Sequence, residues 1–181
     1  MSVATKRRIK STIAALAAAG VALAVAGCGS DDLRNPGAAY AWASDMTDVS
    51  DRALEVDIAE CVGYEGFGFE GESLDRGAAL CFSRKAPDVH RLADDLTAVG
   101  RQGLNLVGAV PAACTQFNRR TIEYGQLYKS LAVEMAKGAD SSRSIDAIRK
   151  SNDAVFDLSD RANVMDLQWN KLGNLCTEAA G

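Results

Sequence analysis

Apolar residues recur at steps of three and four over most of the chain, which is the spacing of one face of an α-helix. The first stripe begins at Asn35 and Pro36, which supply a helix N-cap and a first-turn proline, and it ends near Cys61. The last stripe is the most regular of all. It consists of Val155, Leu158, Ala162, Met165, Trp169, Leu172 and Cys176.

Two further helices are predicted between these stripes. A brief helical turn over Leu74–Phe82 precedes helix two, which is predicted to begin at Pro87 and keeps heptad spacing to Val110. Helix three begins near Ala113 and ends at Gly138. The pattern predicts an all-α fold, an antiparallel up-and-down four-helix bundle, with an extended coiled-coil dimer as the competing architecture.

The helical spacing is lost between helices one and two. From Val62 to Asp75, glycines alternate with aromatic and acidic residues, which predicts a surface loop or a short hairpin. Large aromatic side chains among glycines are typical of contact anchors, and acidic neighbours favour a basic partner. The candidate partner-binding residues are therefore Tyr64, Glu65, Phe67, Phe69, Glu70 and Glu72.

The beginning of the chain has the layout of a secretory signal. Four basic residues are followed by an uncharged Ala-, Val- and Leu-rich stretch, which is too short to span a bilayer permanently. That stretch ends in Val25-Ala26-Gly27-Cys28, which resembles the lipobox of bacterial lipoproteins. The basic residues are Lys6, Arg7, Arg8 and Lys10.

The resemblance covers residues 1–28 and implies three segments. Residues 1–27 form a signal peptide that is removed, residues 28–35 form a lipidated Cys28 with a short polar tether, and residues 36–181 form one helical domain. A diacylglyceryl group on the Cys28 thiol, with a further acyl chain such as palmitate on its new amine, gives stable anchoring. The expected location is the extracytoplasmic face of the cell membrane, with membrane lipid as the first partner.

Removal of the signal makes the remaining chain more acidic. It keeps all 24 acidic residues and loses four of the 20 basic ones, which leaves a formal net charge of about −8. Such a charge argues against nucleic acid as a partner.

Four cysteines remain after lipidation, in a chain expected to reach an oxidising compartment. Two disulfides are the natural interpretation, although three connectivities are possible in principle. Cys61 with Cys81 would close the glycine and aromatic loop. Cys114 with Cys176 would join the start of helix three to the end of helix four.

The second pairing places a constraint on register. Helix three runs about 24 residues from Cys114, whereas the chain from Ser141 to Cys176 is roughly 11 residues longer, or about 16 Å of helix. We therefore expect a short helix or bent connector over Ser142–Lys150, with the long helix starting at Asn152.

The residues that catalysis or cofactor binding require are sparse. The single histidine, His90, has no Glu three residues before it, and no Cys-x-x-Cys, phosphate-binding loop or Gly-x-Ser-x-Gly motif is present. We predict no cofactor, no metal and no catalytic residue. A small envelope enzyme working through the loop carboxylates is the minor alternative.

The leading functional hypothesis is a non-catalytic, membrane-anchored domain that binds a partner in the cell envelope. The alternative is a phage or prophage lipoprotein that excludes a second infection or inhibits a basic envelope-active protein. The loop over Val62–Leu80 is the expected recognition surface. A competing interpretation has its aromatic rings fold back and cap the end of the bundle.

Overall fold

The computed structural model describes residues 36–56, 58–61, 72–106, 111–140 and 142–180. These ranges contain no strand, and none of their helices is long and apolar enough to cross a membrane. The all-α prediction is confirmed. The helices are α1 (Pro36–Glu55), α2 (Glu72–Asn105), α3 (Ala113–Ala136) and α4 (Ile145–Ala180), with 3₁₀ turns at Ala59–Cys61 and Lys137–Ala139.

Helices α2 and α3 approach each other so closely that their backbones touch. A Cβ on Gly125 would lie 2.7 Å from the carbonyl oxygen of Ala93, and one on Gly100 would lie 2.8 Å from that of Asn118. Larger side chains would force the helices apart at these positions. The sequence allows the approach because α2 carries a small, buried residue at every seventh position, namely Ala79, Ala86, Ala93 and Gly100.

The contacts between consecutive helices follow opposite sequence order. Along α3 and the turn after it, Gly125 meets Ala93 and Gly138 meets Ala79. In the last turn of α1, Arg52 forms an ion pair with Asp95 of α2, and in the 3₁₀ turn that follows, Glu60 forms one with Lys85 of α2. In both cases, residues further along the neighbouring helix and the turn after it contact residues nearer the beginning of α2. Both α1 and α3 therefore run antiparallel to α2.

Helix α2 is longer than predicted, since it begins at Glu72 and continues through Pro87. A proline inside a helix removes the hydrogen bond to the carbonyl four residues earlier. Pro87 lies on the exposed face, where water can solvate that carbonyl, whereas Phe82, Ala86 and Val89 are buried. Continuous burial on both sides of the proline outweighs the local signal for a helix start.

Helix α4 is continuous, so the predicted separate connector over Ser142–Lys150 is wrong. Ser151 and Asn152 are buried in the helix and do not cap it. The Ser151 hydroxyl donates to the carbonyl of Glu134 at 3.2 Å, and the Asn152 amide donates to that of Asp75 at 2.9 Å. Arg149, three residues earlier, pairs with the Asp75 carboxylate at 2.8 Å, so the surplus length of α4 contacts the start of α2.

We expect Gly125→Ala to lower the free energy of unfolding by about 1–3 kcal/mol, because its Cβ would overlap the backbone of α2. Gly77→Ala is the matched control on α2. A Cβ there meets nothing within 4 Å, so the loss of backbone freedom in the unfolded chain should stabilise the protein by about 0.5–1 kcal/mol. Denaturant unfolding followed by circular dichroism measures both changes, and equal effects would contradict the close packing.

Candidate functional site

A disulfide joins the first turn of α3 to the last turns of α4. Cys114 and Cys176 are both buried, and their Cα atoms are 4.5 Å apart. The predicted pairing of these two cysteines is confirmed. The bond holds the start of α3 and the end of α4 together. The end of α2 lies nearby, since Gly100 and Gly103 approach Asn118 of α3.

A line of buried polar contacts follows the same helix pair. The Trp169 indole N–H donates to the Thr121 hydroxyl at 2.8 Å, and that hydroxyl donates to the carbonyl oxygen of Phe117 at 2.9 Å. The rings of Phe117 and Trp169 stack with their centroids 5.5 Å apart. The buried hydroxyl and indole thus satisfy each other, as the interior of a helix pair requires.

One carboxyl group enters this interface. Asp166 lies beside the Tyr124 hydroxyl, and its carboxylate accepts a hydrogen bond from the Asn170 amide at 3.1 Å. Burial raises the pKa of the Asp166 carboxyl, and its polar contacts with Tyr124 and Asn170 oppose that rise only in part. Burial also raises the pKa of both Tyr124 and Tyr128, whose hydroxyl oxygens are 3.3 Å apart. The cluster joins α3 to α4 through neutral tyrosines and one partly shielded acid.

The segment predicted to bind a partner is fixed at both ends. Cys61 is buried and bonded to Cys81 of α2, with 5.5 Å between the Cα atoms. The ammonium of Lys85 lies 2.7 Å from the Glu60 carboxylate beside this bond. The other end of the segment joins α2 at Glu72. The two described residues that flank this segment are therefore both attached to α2, Cys61 through its disulfide and Glu72 as the first residue of the helix.

Most of the predicted site residues lie outside the described residues. These are Cys28, Tyr64, Glu65, Phe67, Phe69 and Glu70.

Glu72 is the one candidate partner-binding residue that the structure describes. It is exposed, and its carboxylate is 2.7 Å from the guanidinium of Arg76. Asp75 is likewise paired, at 2.8 Å, with Arg149 of α4. Leu74 and Leu80 on the same two turns are exposed apolar side chains. This end of α2 therefore combines neutralised charge with accessible aliphatic surface.

The pairing of Asp166 with Tyr124 was not foreseen from the sequence. Asp166 lies between Met165 and Trp169 of the apolar stripe, which is the signal that could have indicated a partly buried acid. His90 is a half-exposed residue of α2, with Nδ1 3.2 Å from the Asp94 carboxylate. Comparison of the chain with protein-family models, curated proteins and solved structures finds no match.

Asp166→Asn should stabilise the protein at neutral pH. A carboxyl whose pKa is raised by folding ionises more readily in the unfolded chain, so stability falls as the pH rises above the ordinary Asp pKa of about 3.9. The variant lacks this penalty. Its advantage in melting temperature should therefore grow between about pH 4 and pH 7.

Asp153→Asn provides the control, because this carboxylate is exposed on the same helix. Melting curves from pH 3 to pH 8 compare both variants with the parent chain. An Asp166→Asn protein that loses stability relative to the parent as the pH rises would contradict the assignment.

Proposed function

We propose that this chain is an exported lipoprotein, anchored to the extracytoplasmic face of the membrane through Cys28, whose helical domain binds an envelope partner without catalysis. Its four helices form an antiparallel up-and-down bundle. The partner is held at the end of the bundle where residues 62–71 join α1 to α2. The opposite sequence order of the contacts between α1 and α2, and between α2 and α3, supports the bundle topology.

Export is supported by the cysteine chemistry. Protein disulfides persist in extracytoplasmic compartments and are rare in the reducing cytosol. The chain places Cys114 beside Cys176 and Cys61 beside Cys81, so that each of the four cysteines after Cys28 has a partner. This usage agrees with the signal-like beginning of the chain and with lipidation of Cys28.

The observation that carries the binding proposal is the fixation of residues 62–71 at both ends. The bond between Cys61 and Cys81 closes a segment with a sequence separation of 20, which removes conformational freedom from it before any partner arrives. A segment restricted in this way pays less entropy on binding than a free loop does. Tyr64, Phe67 and Phe69 are the contact residues that we assign to it.

The geometry of α1 separates this segment from the anchor. The tether joins α1 at Pro36, and the 20 residues of α1 extend about 30 Å. In our proposal the lipid is therefore attached near the first residue of α1, and the binding segment follows the last residue of that helix. A protein of the envelope, rather than the bilayer surface, is therefore the partner that this arrangement suits.

The paired charges refine the expected chemistry of the partner. Glu72 and Asp75 are each matched by an arginine, so they add little net negative potential at this end. Aromatic and aliphatic contact supplies most of the affinity in our proposal, with Glu65 and Glu70 favouring basic residues on the partner. Exposed ion pairs such as Glu72 with Arg76 contribute about 0–1 kcal/mol at most.

Replacing Phe67 and Phe69 together by Ser should abolish partner capture and leave the melting temperature unchanged. Photo-crosslinking in intact cells, followed by mass spectrometry of the captured proteins, measures the first effect. Thermal unfolding of the purified protein measures the second.

Tyr40→Ser is the matched control, since this ring is 65% exposed near the beginning of α1. It should change neither partner capture nor melting. A large fall in melting temperature for the double variant would show that the rings belong to the core, and unchanged capture would exclude this segment as the binding surface.

A further inference from the structure

Four of the eight large apolar side chains that are exposed among the described residues lie on α4. Val164 and Leu167 are 59% and 73% exposed, and Leu175 is exposed as well. Phe156 is 38% exposed, and its ring also packs edge-to-face on Phe82 of α2, with 5.8 Å between the centroids. The buried residues of the same helix pack into the core, and Val164, Leu167 and Leu175 are not among them. A shallow depression of about 350 Å³ lies beside Val164, between Asp157 and Gln168. Exposed apolar faces of this kind mark contact surfaces.

Two exposed charges complete this stripe. Asp160 lies between Phe156 and Val164, and Lys171 lies between Leu167 and Leu175. Neither takes part in an ion pair with another of the described residues. The six residues follow one another at steps of three and four, which keeps them on one face of the helix.

The order of these residues is symmetric about a point midway between residues 165 and 166. Val164 and Leu167 lie about 2 Å on either side of it along the helix axis, and Asp160 and Lys171 lie about 8 Å on either side. Phe156 and Leu175 follow at about 14 Å. An apolar residue thus always has an apolar counterpart, and the acid has a base as its counterpart.

We infer that α4 pairs with α4 of a second copy of this chain, antiparallel and about a two-fold axis through that midpoint. A two-fold axis brings each residue opposite its counterpart on the other copy, because such interfaces are self-complementary. Val164 then packs against Leu167, and Phe156 packs against Leu175. Asp160 forms an ion pair with Lys171 on each side.

The ends of the stripe define the extent of the contact. The next exposed pair outward is Asp153 with Glu178, which are both acidic and would repel each other across the axis. The interface therefore ends between these residues and the Phe156–Leu175 pairs. Such a contact is smaller than the about 800 Å² per partner of a standard interface, so a weak dimer is expected.

A charge-reversal cycle on the full-length protein tests both the pairing and its direction. Asp160→Lys places Lys opposite Lys171, and Lys171→Asp places Asp opposite Asp160, so each variant should weaken self-association by at least about tenfold. Combining both substitutions restores opposite charges and should restore the dimer. An equimolar mixture of the two single variants should form the mixed dimer in preference to either homodimer, because both of its ion pairs are favourable.

Native mass spectrometry of the detergent-solubilised protein counts the homodimers and mixed dimers over a concentration series. Leu167→Ser should weaken the dimer by at least about tenfold, whereas Val133→Ser, at a similarly exposed position on α3, should not. Unchanged melting curves confirm that these surface variants fold. A parent chain that is monomeric at every concentration, or a mixture of the single variants without mixed dimers, overturns the inference.

Discussion

The disulfide between Cys114 and Cys176 fixes where α4 lies along α3, and the rest of α4 follows from it. The Trp169 indole donates to Thr121 about two turns further along, and the Ser151 hydroxyl donates to Glu134 near the other end of α3. All three contacts place the two helices in nearly the same register. The bond closes a loop with a sequence separation of 62, which lowers the conformational entropy of the unfolded chain and so stabilises the fold by about 4 kcal/mol.

That register brings the beginning of α4 to the beginning of α2. Asn152 donates to the backbone carbonyl of Asp75, and Arg149 pairs with the Asp75 side chain. Helix α4 therefore stabilises the first turn of α2, which directly follows residues 62–71 in the chain. The bond between Cys61 and Cys81 lies about two turns further along α2. A covalent constraint at one end of the molecule thereby helps to hold the proposed binding surface at the other.

The helical stripes could be predicted from the sequence because they depend on local spacing. Val155, Ala162 and Trp169 are buried on α4 as their heptad spacing indicates, and the pairing of Cys114 with Cys176 followed from the helix ends. The errors arose where a residue has two uses. Asn152 is a typical helix cap, but here its side chain donates a hydrogen bond from α4 to α2. Pro87 is typical of a helix start, but here it lies within α2.

Contacts between distant residues were beyond sequence reasoning for a physical reason. Nothing in the spacing of Gly125 shows that its missing side chain admits the backbone of Ala93, and nothing near Asp166 shows that Tyr124 faces it. Both facts depend on how the helices pack. The anchor was assigned from the resemblance to the lipobox and the contact aromatics from composition, and Cys28, Phe67 and Phe69 lie outside the described residues.

We propose that a helical domain with two disulfides is held at the membrane surface by a lipid on Cys28, the first residue of the mature chain. Intact-mass and peptide mass spectrometry of the protein extracted from membranes without reduction tests this claim most directly. We expect a mature chain that begins at an acylated Cys28, with Cys61 joined to Cys81 and Cys114 joined to Cys176. A chain that retains residues 1–27, or one whose four later cysteines are free thiols, would contradict it.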